Sequence, residues 1–360
     1  MLEQNYLDLL LSMVRCYPQS GNYENLSKVH DLLRDFLEKE GIYCVTEIIG
    51  NYKVLYAASC ESKCCDILLN AHIDVVPASI PEQKEPRIEG SRLYARGPGD
   101  DLGNAVTTVM TLVEGKKKGL SIGAVFTADE EIGGLTTKGM VEKGYGADKI
   151  AIVLDSWGQG KIVTAEKGLL SVRMTATGKG GHASSPWLLE NPIEKLCFAY
   201  CRLRENWVNP TAENSWGNSM TACIVEGGSV HNQIPDTASM VLNIRYTEKS
   251  TKDELIDKVR TITGLEVEEI ESCLPVVSDP ADPVLNILNQ SVMKARGTDG
   301  SFSFMHGATD ARHLVKLDLP IAIMGVEGGG AHSAAEWVNL DSLAPTAELL
   351  MDFAVNLKNL

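Results

Sequence analysis

The segment LLNAHIDVVPAS places an imidazole and a carboxylate two residues apart, at the end of an apolar, β-prone run. Side chains at positions i and i+2 of a strand lie on the same face, so His72 and Asp74 are predicted to be neighbours. A carboxylate beside a histidine can fix the tautomer and orientation of the ring, as it does for metal-bound histidines. The pair alone also fits a buried, hydrogen-bonded histidine that binds no ligand, so further residues are needed to distinguish the two roles.

Further acidic and imidazole side chains follow other predicted strands. They are Asp100 and Asp101 in RGPGDDLGNAV, Glu130 and Glu131 in VFTADEEIGG, Asp155 in IVLDSWG, and His332 in VEGGGAHSAAEW. Each alone also fits an ordinary role, such as a helix N-cap, a solvated turn or a loop. Ligand sites of open α/β sheets form at the carboxyl ends of strands. Together these residues therefore predict one site for two divalent metal ions, which need a bridging group and a base.

The elements that would position these residues alternate between helices and strands in the first part of the chain. The short apolar runs KVLYA, DILLNA, IGAVFT and KIAIVLD are bounded by turn residues and predict buried strands. NLSKVHDLLRDFLEKEG has helical spacing and ends at Gly41, and LGNAVTTVMTLVEG is typical of a crossover helix. The pattern predicts an α/β fold, with a mainly parallel or mixed sheet flanked by helices, of which we favour the mixed sheet.

A different pattern begins at about Gly168. Its segments follow the order β-α-β-β-α-β, which is typical of a ferredoxin-like unit inserted into a larger domain. The proline-containing segment LPVVSDPADP then leads back to helices and strands that continue to the end. We therefore predict a larger domain from residues 1–167 and 274–360, and an inserted domain from residues 168–273.

Composition excludes some classes of partner. Lys and Arg number 33 and Asp and Glu number 48, which gives a net charge of −15. This charge disfavours nucleic-acid or membrane partners, which need basic patches, and is compatible with a metal site. We expect no signal peptide and no membrane-spanning run. The nine cysteines are scattered and odd in number, as expected for a reduced cytoplasmic protein.

Seven blocks of sequence resemble, in order, those of one co-catalytic zinc hydrolase family. The blocks are HIDVVP, ARGPGDDLGNAV, FTADEEIGG, GKGGHASSP, HNQIPDTASMVLNIRY, GATDAR and GGGAHSAAEWV. The family contains carboxypeptidase G, acetylornithine deacetylase, succinyl-diaminopimelate desuccinylase, aminoacylase, peptidase T and carnosine dipeptidase. The resemblance implies a zinc-peptidase-like α/β domain carrying an inserted lid, in agreement with the predicted layout. Leu102 differs from many relatives, in which a lysine often follows the aspartate pair.

The resemblance implies metal-binding roles for five residues. His72 and Asp155 would bind one divalent ion, and Glu131 and His332 would bind the other. Asp100 would bridge the two ions. Zinc is the expected metal, with cobalt or manganese as alternatives.

The same resemblance implies roles in the reaction for two further residues, Glu130 and Asp74. Two metal ions lower the pKa of a shared water, so that a bridging hydroxide exists near neutral pH. Glu130 would be the general base that takes the proton and returns it to the leaving amine. Asp74 would orient His72.

Four residues are expected to contact the substrate. His182, whose counterpart in relatives reaches the active site of the other subunit, would donate to the developing oxyanion, and Asn232 would bind a carboxylate or carbonyl. Arginine binds carboxylates bidentately, which suits Arg245 and Arg312. A surface role for His182 and a structural ion pair for Arg245 are the alternatives. Trp157 would either line the pocket or only pack.

The implied function is metal-dependent hydrolysis of an amide bond. The position of Asp155 is often Asp in relatives that cut peptides with a free amine and Glu in deacylases and carboxypeptidases. We therefore favour a di- or aminopeptidase that acts on short peptides. An N-acyl-amino-acid deacylase or a carboxypeptidase is the alternative, which the short chain and compact lid favour, and a non-catalytic metal-binding relative is a remote one. A homodimer joined through the lid is expected.

Overall fold

The computed structural model describes residues 2–156 and 161–358, so Trp157 lies outside the described residues. The chain divides into two compact units. The first contains Met1–Ala165, Val277–Phe304 and Thr309–Leu360, and the second contains Glu166–Val276 and Met305–Ala308. Among the described helices, none is both long and apolar enough to cross a bilayer.

Helices and strands alternate along most of the described chain. The helices are α1 (Gln4–Cys16), α2 (Tyr23–Lys39), α3 (Gly103–Lys117), α4 (Leu135–Glu142), α5 (Pro192–Glu205), α6 (Lys252–Thr263), α7 (Pro283–Arg296), α8 (Ala311–Leu314) and α9 (Leu340–Leu357). The strands are β1 (Tyr43–Ile49), β2 (Tyr52–Ala58), β3 (Cys64–His72), β4 (Arg87–Glu89), β5 (Arg92–Tyr94), β6 (Ile122–Thr127), β7 (Gly146–Leu154), β8 (Ile162–Glu166), β9 (Gly168–Thr177), β10 (Gly181–His182), β11 (Ser219–Gly227), β12 (Gln233–Ile234), β13 (Thr237–Tyr246), β14 (Glu266–Cys273), β15 (Val276–Val277), β16 (Phe302–Met305), β17 (Ile321–Met324), β18 (Gly328–Gly329) and β19 (Trp337–Asn339).

The first unit is built on a mixed sheet, whose described strands run in the order β1-β2-β6-β3-β7-β17-β8-β15, with β16 paired to β8. Strand β3 is parallel to both β6 and β7, and β17 is parallel to β7. β6 and the central residues of β3 and β7 are buried, because helices cover the sheet. Side chains of α1, α2, α3, α7 and α9 share one apolar core with these strands. The predicted mixed sheet flanked by helices is confirmed.

The second unit has the predicted ferredoxin-like order, with β9, α5, β11, β13, α6 and β14 following one another. Its antiparallel sheet runs in the order β11-β13-β9-β14. Alternate residues of β9, including Leu170, Val172 and Met174, are buried in a core shared with α5 and α6. This alternation is expected for a sheet with one covered face. The inserted unit predicted from the sequence pattern is therefore confirmed as a fold.

A small antiparallel sheet in the first unit was not predicted. Its strands run in the order β18-β19-β5-β4. The pairing of Trp337 with Tyr94 and of Val338 with Leu93 joins β19 to β5. Since β5 leads into the Asp100 turn and His332 lies between β18 and β19, this sheet brings two distant segments of the chain together.

Candidate metal centre

Most of the candidate ligands lie at or just after the carboxyl ends of three parallel strands of the main sheet. His72 is the last residue of β3, and Asp155 directly follows β7. Glu130 and Glu131 begin a short 3₁₀ turn (Glu130–Ile132) that follows β6. Because β3 is parallel to β6 and β7, the carboxyl ends of these strands lie together, as at the ligand sites of other open α/β sheets.

Asp100 lies between the two histidines. It belongs to the turn Pro98–Leu102, which leads into α3, and its own backbone is not helical, with a φ of −142°. Its Oδ1 is 3.0 Å from Nε2 of His72, and its Oδ2 is 3.3 Å from Nε2 of His332. One carboxylate oxygen therefore faces each imidazole, which is the arrangement that a bridging ligand needs.

His332 comes from the loop between β18 and β19. Its Nε2 is 3.0 Å from Oε2 of Glu131, and its side chain is 56% exposed. Its backbone has a positive φ of 59°, which is unusual for a residue with a Cβ. The loop thus presents an exposed imidazole towards a carboxylate that is itself buried.

The candidate ligand atoms are close enough to share ions. The donor atoms of His72, Asp100 and Glu131 lie within 4.8 Å of one another, and so do those of His72, Asp101 and Asp155. The structure therefore brings the five predicted ligands together. Asp101, which the resemblance did not include among the ligands, is fully buried and accepts hydrogen bonds from the backbone N–H of His72 at 3.1 Å and from Asn104 at 2.6 Å.

Asp74 connects His72 to the glutamate pair. Nδ1 of His72 is 2.9 Å from the backbone oxygen of Asp74 and 3.5 Å from its Oδ1, so the backbone oxygen is the closer partner of the ring. The fully buried carboxylate accepts hydrogen bonds from the backbone N–H groups of Glu130 at 3.0 Å and Glu131 at 3.3 Å. The hydroxyl of Ser20 donates a further bond of 2.8 Å. Asp74 thus fixes the backbone of Glu130 and Glu131 as well as the ring of His72.

The acidic groups of the cluster destabilise one another when no cation is bound. Burial raises the pKa of Asp155 to about 7, and neighbouring carboxylates reinforce the rise. Burial and the charge of Asp155 raise the pKa of Glu130 well above its usual value, and burial also raises that of Glu131. Such crowded, buried carboxyl groups are stabilised in their charged form by cations.

Neighbouring carboxylates raise the pKa values of the two histidines. Burial alone would lower the pKa of His72, but its contacts with Asp100 and Asp74 raise it well above the usual value. Contact with Asp100 raises the pKa of His332 to about 9. Although burial alone would raise the pKa of Asp100, the two imidazoles lower it. The carboxylate of Asp100 therefore stabilises positive charge on both imidazoles, as it would stabilise a bound cation.

Arg312 lies beside Glu130. Its Nη2 is 3.3 Å from the backbone oxygen of Glu130 and 3.5 Å from its Oε1, and its side chain is 8% exposed. The preceding Asp310 is buried and accepts hydrogen bonds from the hydroxyls of Thr127 at 2.7 Å and Thr137 at 2.6 Å. These bonds attach the start of α8, which carries Arg312, to the end of β6 and to α4.

The remaining candidates belong to the second unit. His182 is exposed in β10, and its Nδ1 accepts a hydrogen bond from the Ser184 backbone. Asn232 is exposed, and its backbone oxygen accepts a 2.9 Å bond from the N–H of Ala183, so it lies close to His182. Arg245 is half-buried in β13, and its Nε donates to Asn243 at 3.3 Å. These three residues remain candidates for substrate binding.

A family comparison decides the class of the protein. The model described as Peptidase family M20/M25/M40 matches residues 68–356. The chain belongs to this family. Members of peptidase family M20/M25/M40 are metal-dependent hydrolases, so the protein is an enzyme of the peptidase/amidohydrolase class. The resemblance seen in the seven sequence blocks is confirmed.

Individual relatives in the family have different activities. A succinyl-diaminopimelate desuccinylase from Psychrobacter arcticus is 26% identical and is aligned over 99% of this chain and 95% of its own. The structure of aminopeptidase PepT from Bacillus cereus has a TM-score of 0.81 at 18% identity, with 98% of each chain covered. A dinuclear metal binding peptidase of the family from Bacillus subtilis has a TM-score of 0.70 at 15% identity, with 99% of this chain and all of the other covered. At these identities the structural matches establish the shared fold alone.

Two buried charged residues near the centre were not predicted to have a role. Arg96 and Glu336 are each 1% exposed and form an ion pair. Both stand among small or apolar residues in the sequence, in YARGPG and SAAEWV. A charged residue in such surroundings is rarely buried unless it is paired, which is the signal that could have identified them.

Proposed function

We propose that this member of the family is a two-metal hydrolase that cleaves amide bonds in short peptides, as a di- or aminopeptidase. The observation that carries the proposal is the gathering of two imidazoles and three carboxylates, with Asp100 between the imidazoles and a further buried carboxylate, Glu130, beside them. A non-catalytic metal-binding protein would have no need for Glu130, whose side chain is 10% exposed and faces Arg312.

The donor set fits divalent metal ions. Imidazole and carboxylate groups are typical zinc ligands, and the excess of oxygen donors also suits cobalt or manganese. His72 and Asp155 would hold one ion, Glu131 and His332 the other, and Asp100 both. The facing of one Asp100 oxygen towards each histidine supports this assignment. Zinc is the metal we propose.

The chain supplies the proton transfers. Bound divalent ions would lower the pKa of a water molecule and polarise the scissile carbonyl. Glu130 would take the proton of the attacking water and return it to the leaving nitrogen, a double role that a positioned carboxylate can fill. Burial raises the pKa of Glu130, which makes its carboxylate a better proton acceptor. Asp74 holds the backbone of Glu130 in place. Arg312 contacts Oε1 of Glu130 and limits the orientations of its carboxylate.

The choice of substrate class depends on the identity of a single residue, Asp155. Asp155, rather than Glu, supports a peptide with a free amine, and the structural similarity to an aminopeptidase is compatible with it. The similarity to a desuccinylase supports an N-acyl amino acid instead, which makes deacylation the second candidate. In both cases we propose that His182, Asn232 and Arg245 bind the substrate.

We also propose that the second unit is a lid and dimerisation domain, separate from the catalytic first unit. β11 is at the edge of the sheet, and Ile224 and Val225 on it are 50% and 63% exposed. An exposed, apolar edge strand is suited to pairing with a second copy. Sedimentation of wild type and Val225→Arg would test this, with a dimer expected only for wild type. A cytoplasmic location remains a prediction.

A substrate panel tests the proposed function directly. Metal-free protein would be loaded with zinc, cobalt or manganese and incubated with dipeptides, tripeptides, and N-acetyl and N-succinyl amino acids. Faster cleavage of the free-amine peptides is expected. Preference for the acylated amino acids would replace the peptidase assignment by the deacylase one, and no turnover of either class with any metal would contradict both.

A further inference from the structure

A buried ion pair lies behind the candidate metal centre, on the side of Asp100. Nη1 of Arg96 donates to Oε2 of Glu336, and both residues are 1% exposed. The other carboxylate oxygen of Glu336 accepts backbone N–H groups of the Asp100 turn: Gly97 at 2.8 Å, Gly99 at 3.2 Å and Asp100 itself at 3.3 Å. Glu336 thus fixes the turn that presents one candidate ligand.

The same ion pair extends to the loop of His332. Nη2 of Arg96 donates to the backbone oxygen of Ser333 at 3.2 Å and to the hydroxyl of Ser79 at 3.1 Å. The side chain of Gln83 donates a second bond, of 2.8 Å, to the same Ser333 oxygen. The hydroxyl of Ser79 is 3.4 Å from the backbone oxygen of His332. Both peptide carbonyls next to the exposed imidazole are therefore bonded to the network.

The contacts with the His332 loop matter for its conformation, because His332 itself has an unfavourable backbone conformation. Its φ of 59° is in the left-handed region, which a residue with a Cβ adopts only when its surroundings impose it. A buried ion pair is by itself weak evidence for stability, since desolvation opposes the attraction of the charges. Its contacts with both ligand-bearing segments indicate a role in their geometry.

We propose that the Arg96–Glu336 pair positions Asp100 and His332 relative to each other, and thereby sets the affinity of the centre for the divalent ion bound by Glu131 and His332. The inference rests on the proposed two-metal function. Arg96 and Glu336 are positioning residues, because they act through the two ligand segments. The ion bound by His72 and Asp155 should depend less on the pair, because the pair contacts the segment of only one of its three proposed ligands, Asp100. Two of the three proposed ligands of the other ion, Asp100 and His332, belong to segments that the pair contacts.

Metal titration tests the inference without any activity measurement. Metal-free wild type and Glu336→Gln would be titrated with Zn²⁺ against a chromophoric chelator, which gives the dissociation constant of each ion. Loss of groups that orient ligands typically weakens metal binding about 10–100-fold. We expect such a loss for the second ion, which Glu131 and His332 would bind, and a smaller change for the first, which His72 and Asp155 would bind. The matched control is Glu47→Gln, which breaks the surface ion pair with Lys143 and should change neither constant.

Two milder variants keep the test informative if Glu336→Gln does not fold. Ser79→Ala and Gln83→Ala keep both charges of the ion pair. Ser79→Ala removes the hydroxyl that contacts Arg96 and the backbone oxygen of His332. Gln83→Ala removes the bond to the Ser333 oxygen and the bonds that its side chain accepts from the backbone of Ser79 and Ile80. In each variant we expect faster amide hydrogen exchange in residues 330–336 of the metal-free protein, and weaker binding of the second ion.

The outcomes separate the two proposals. Wild-type protein that binds no divalent ion would contradict the proposed two-metal function. Wild type that binds two ions, together with variants of unchanged affinity and unchanged exchange, would overturn only the role of the Arg96–Glu336 pair.

Discussion

The carboxylate of Asp74 accepts a 3.0 Å hydrogen bond from the backbone N–H of Glu130. The residue two positions beyond a candidate metal ligand therefore also positions the candidate general base. The same carboxylate bonds to the backbone of Glu131, and the backbone oxygen of Asp74 contacts the ring of His72, so a single buried residue holds three members of the centre relative to one another.

Replacing Asp74 by Ala is therefore expected to reduce both turnover and metal binding. Loss of a group that orients metal ligands typically costs about 10–100-fold in affinity or activity. Steady-state kinetics and metal content of the purified variant measure the two effects. Ser20→Ala is the matched control, because it removes only the hydroxyl that donates to Asp74, and we expect a smaller loss. Equal losses in the two variants would contradict the role of Asp74.

Replacing Glu130 by Gln should separate chemistry from metal binding. The amide keeps the size of the side chain but cannot take a proton, and positioned general bases contribute about 10²–10⁴-fold. We expect kcat to fall by that factor while the metal content stays at the wild-type value. The exposed Glu82→Gln is a control that should change neither quantity. Substantial turnover by Glu130→Gln would remove Glu130 as the base.

Much of this arrangement could be predicted from the sequence, because most of the candidate residues lie at the carboxyl ends of strands. Apolar runs that end in His72 and before Asp155 predict buried parallel strands, whose carboxyl ends must meet. The contacts of Glu336 could not be predicted in the same way. Glu336 and Gly97 are 239 positions apart, and the strands that join their segments have only two or three residues, too few to show a period.

The contact between Arg312 and Glu130 could not be predicted from the sequence either, and the predicted substrate-binding role of Arg312 stays a prediction. The pattern indicated an arginine for a substrate carboxylate, whereas the structure places its guanidinium 3.5 Å from Oε1 of Glu130. Only the tertiary contacts of Asp310, which attach α8 to β6 and α4, show why the arginine lies there.

The two roles of Arg312 have different kinetic consequences. Arg312 opposes the burial that raises the pKa of Glu130, so Arg312→Met should raise that pKa further. Glu130 must be deprotonated to act as a base, so activity is lost as pH falls through this pKa. The acidic limb of the kcat/KM profile should therefore move to higher pH in Arg312→Met. A raised KM with an unmoved limb would instead assign Arg312 to substrate binding, and Arg312→Lys, which keeps the charge, should shift the limb less.

The stability of the metal-free protein should fall as pH rises. The folded-state pKa of Asp155 is about 7, above the usual value of 3.8, so its contribution is greatest below pH 3.8 and is lost as pH rises to about 7. The pKa of His332 is raised to about 9, so its contribution is complete below about 6.5 and is lost as pH rises to 9. Both groups therefore make the metal-free protein less stable as pH rises.

Thermal unfolding of chelator-treated protein at pH 5, 7 and 8.5 measures this dependence. We expect Tm to decrease across the series, and added zinc to raise Tm most at pH 8.5, because deprotonated ligands bind the ion. Asp155→Asn removes one of the titrating groups and should flatten the change between pH 5 and 7. Metal-free wild type with the same Tm at all three pH values would contradict the raised pKa values of Asp155 and His332.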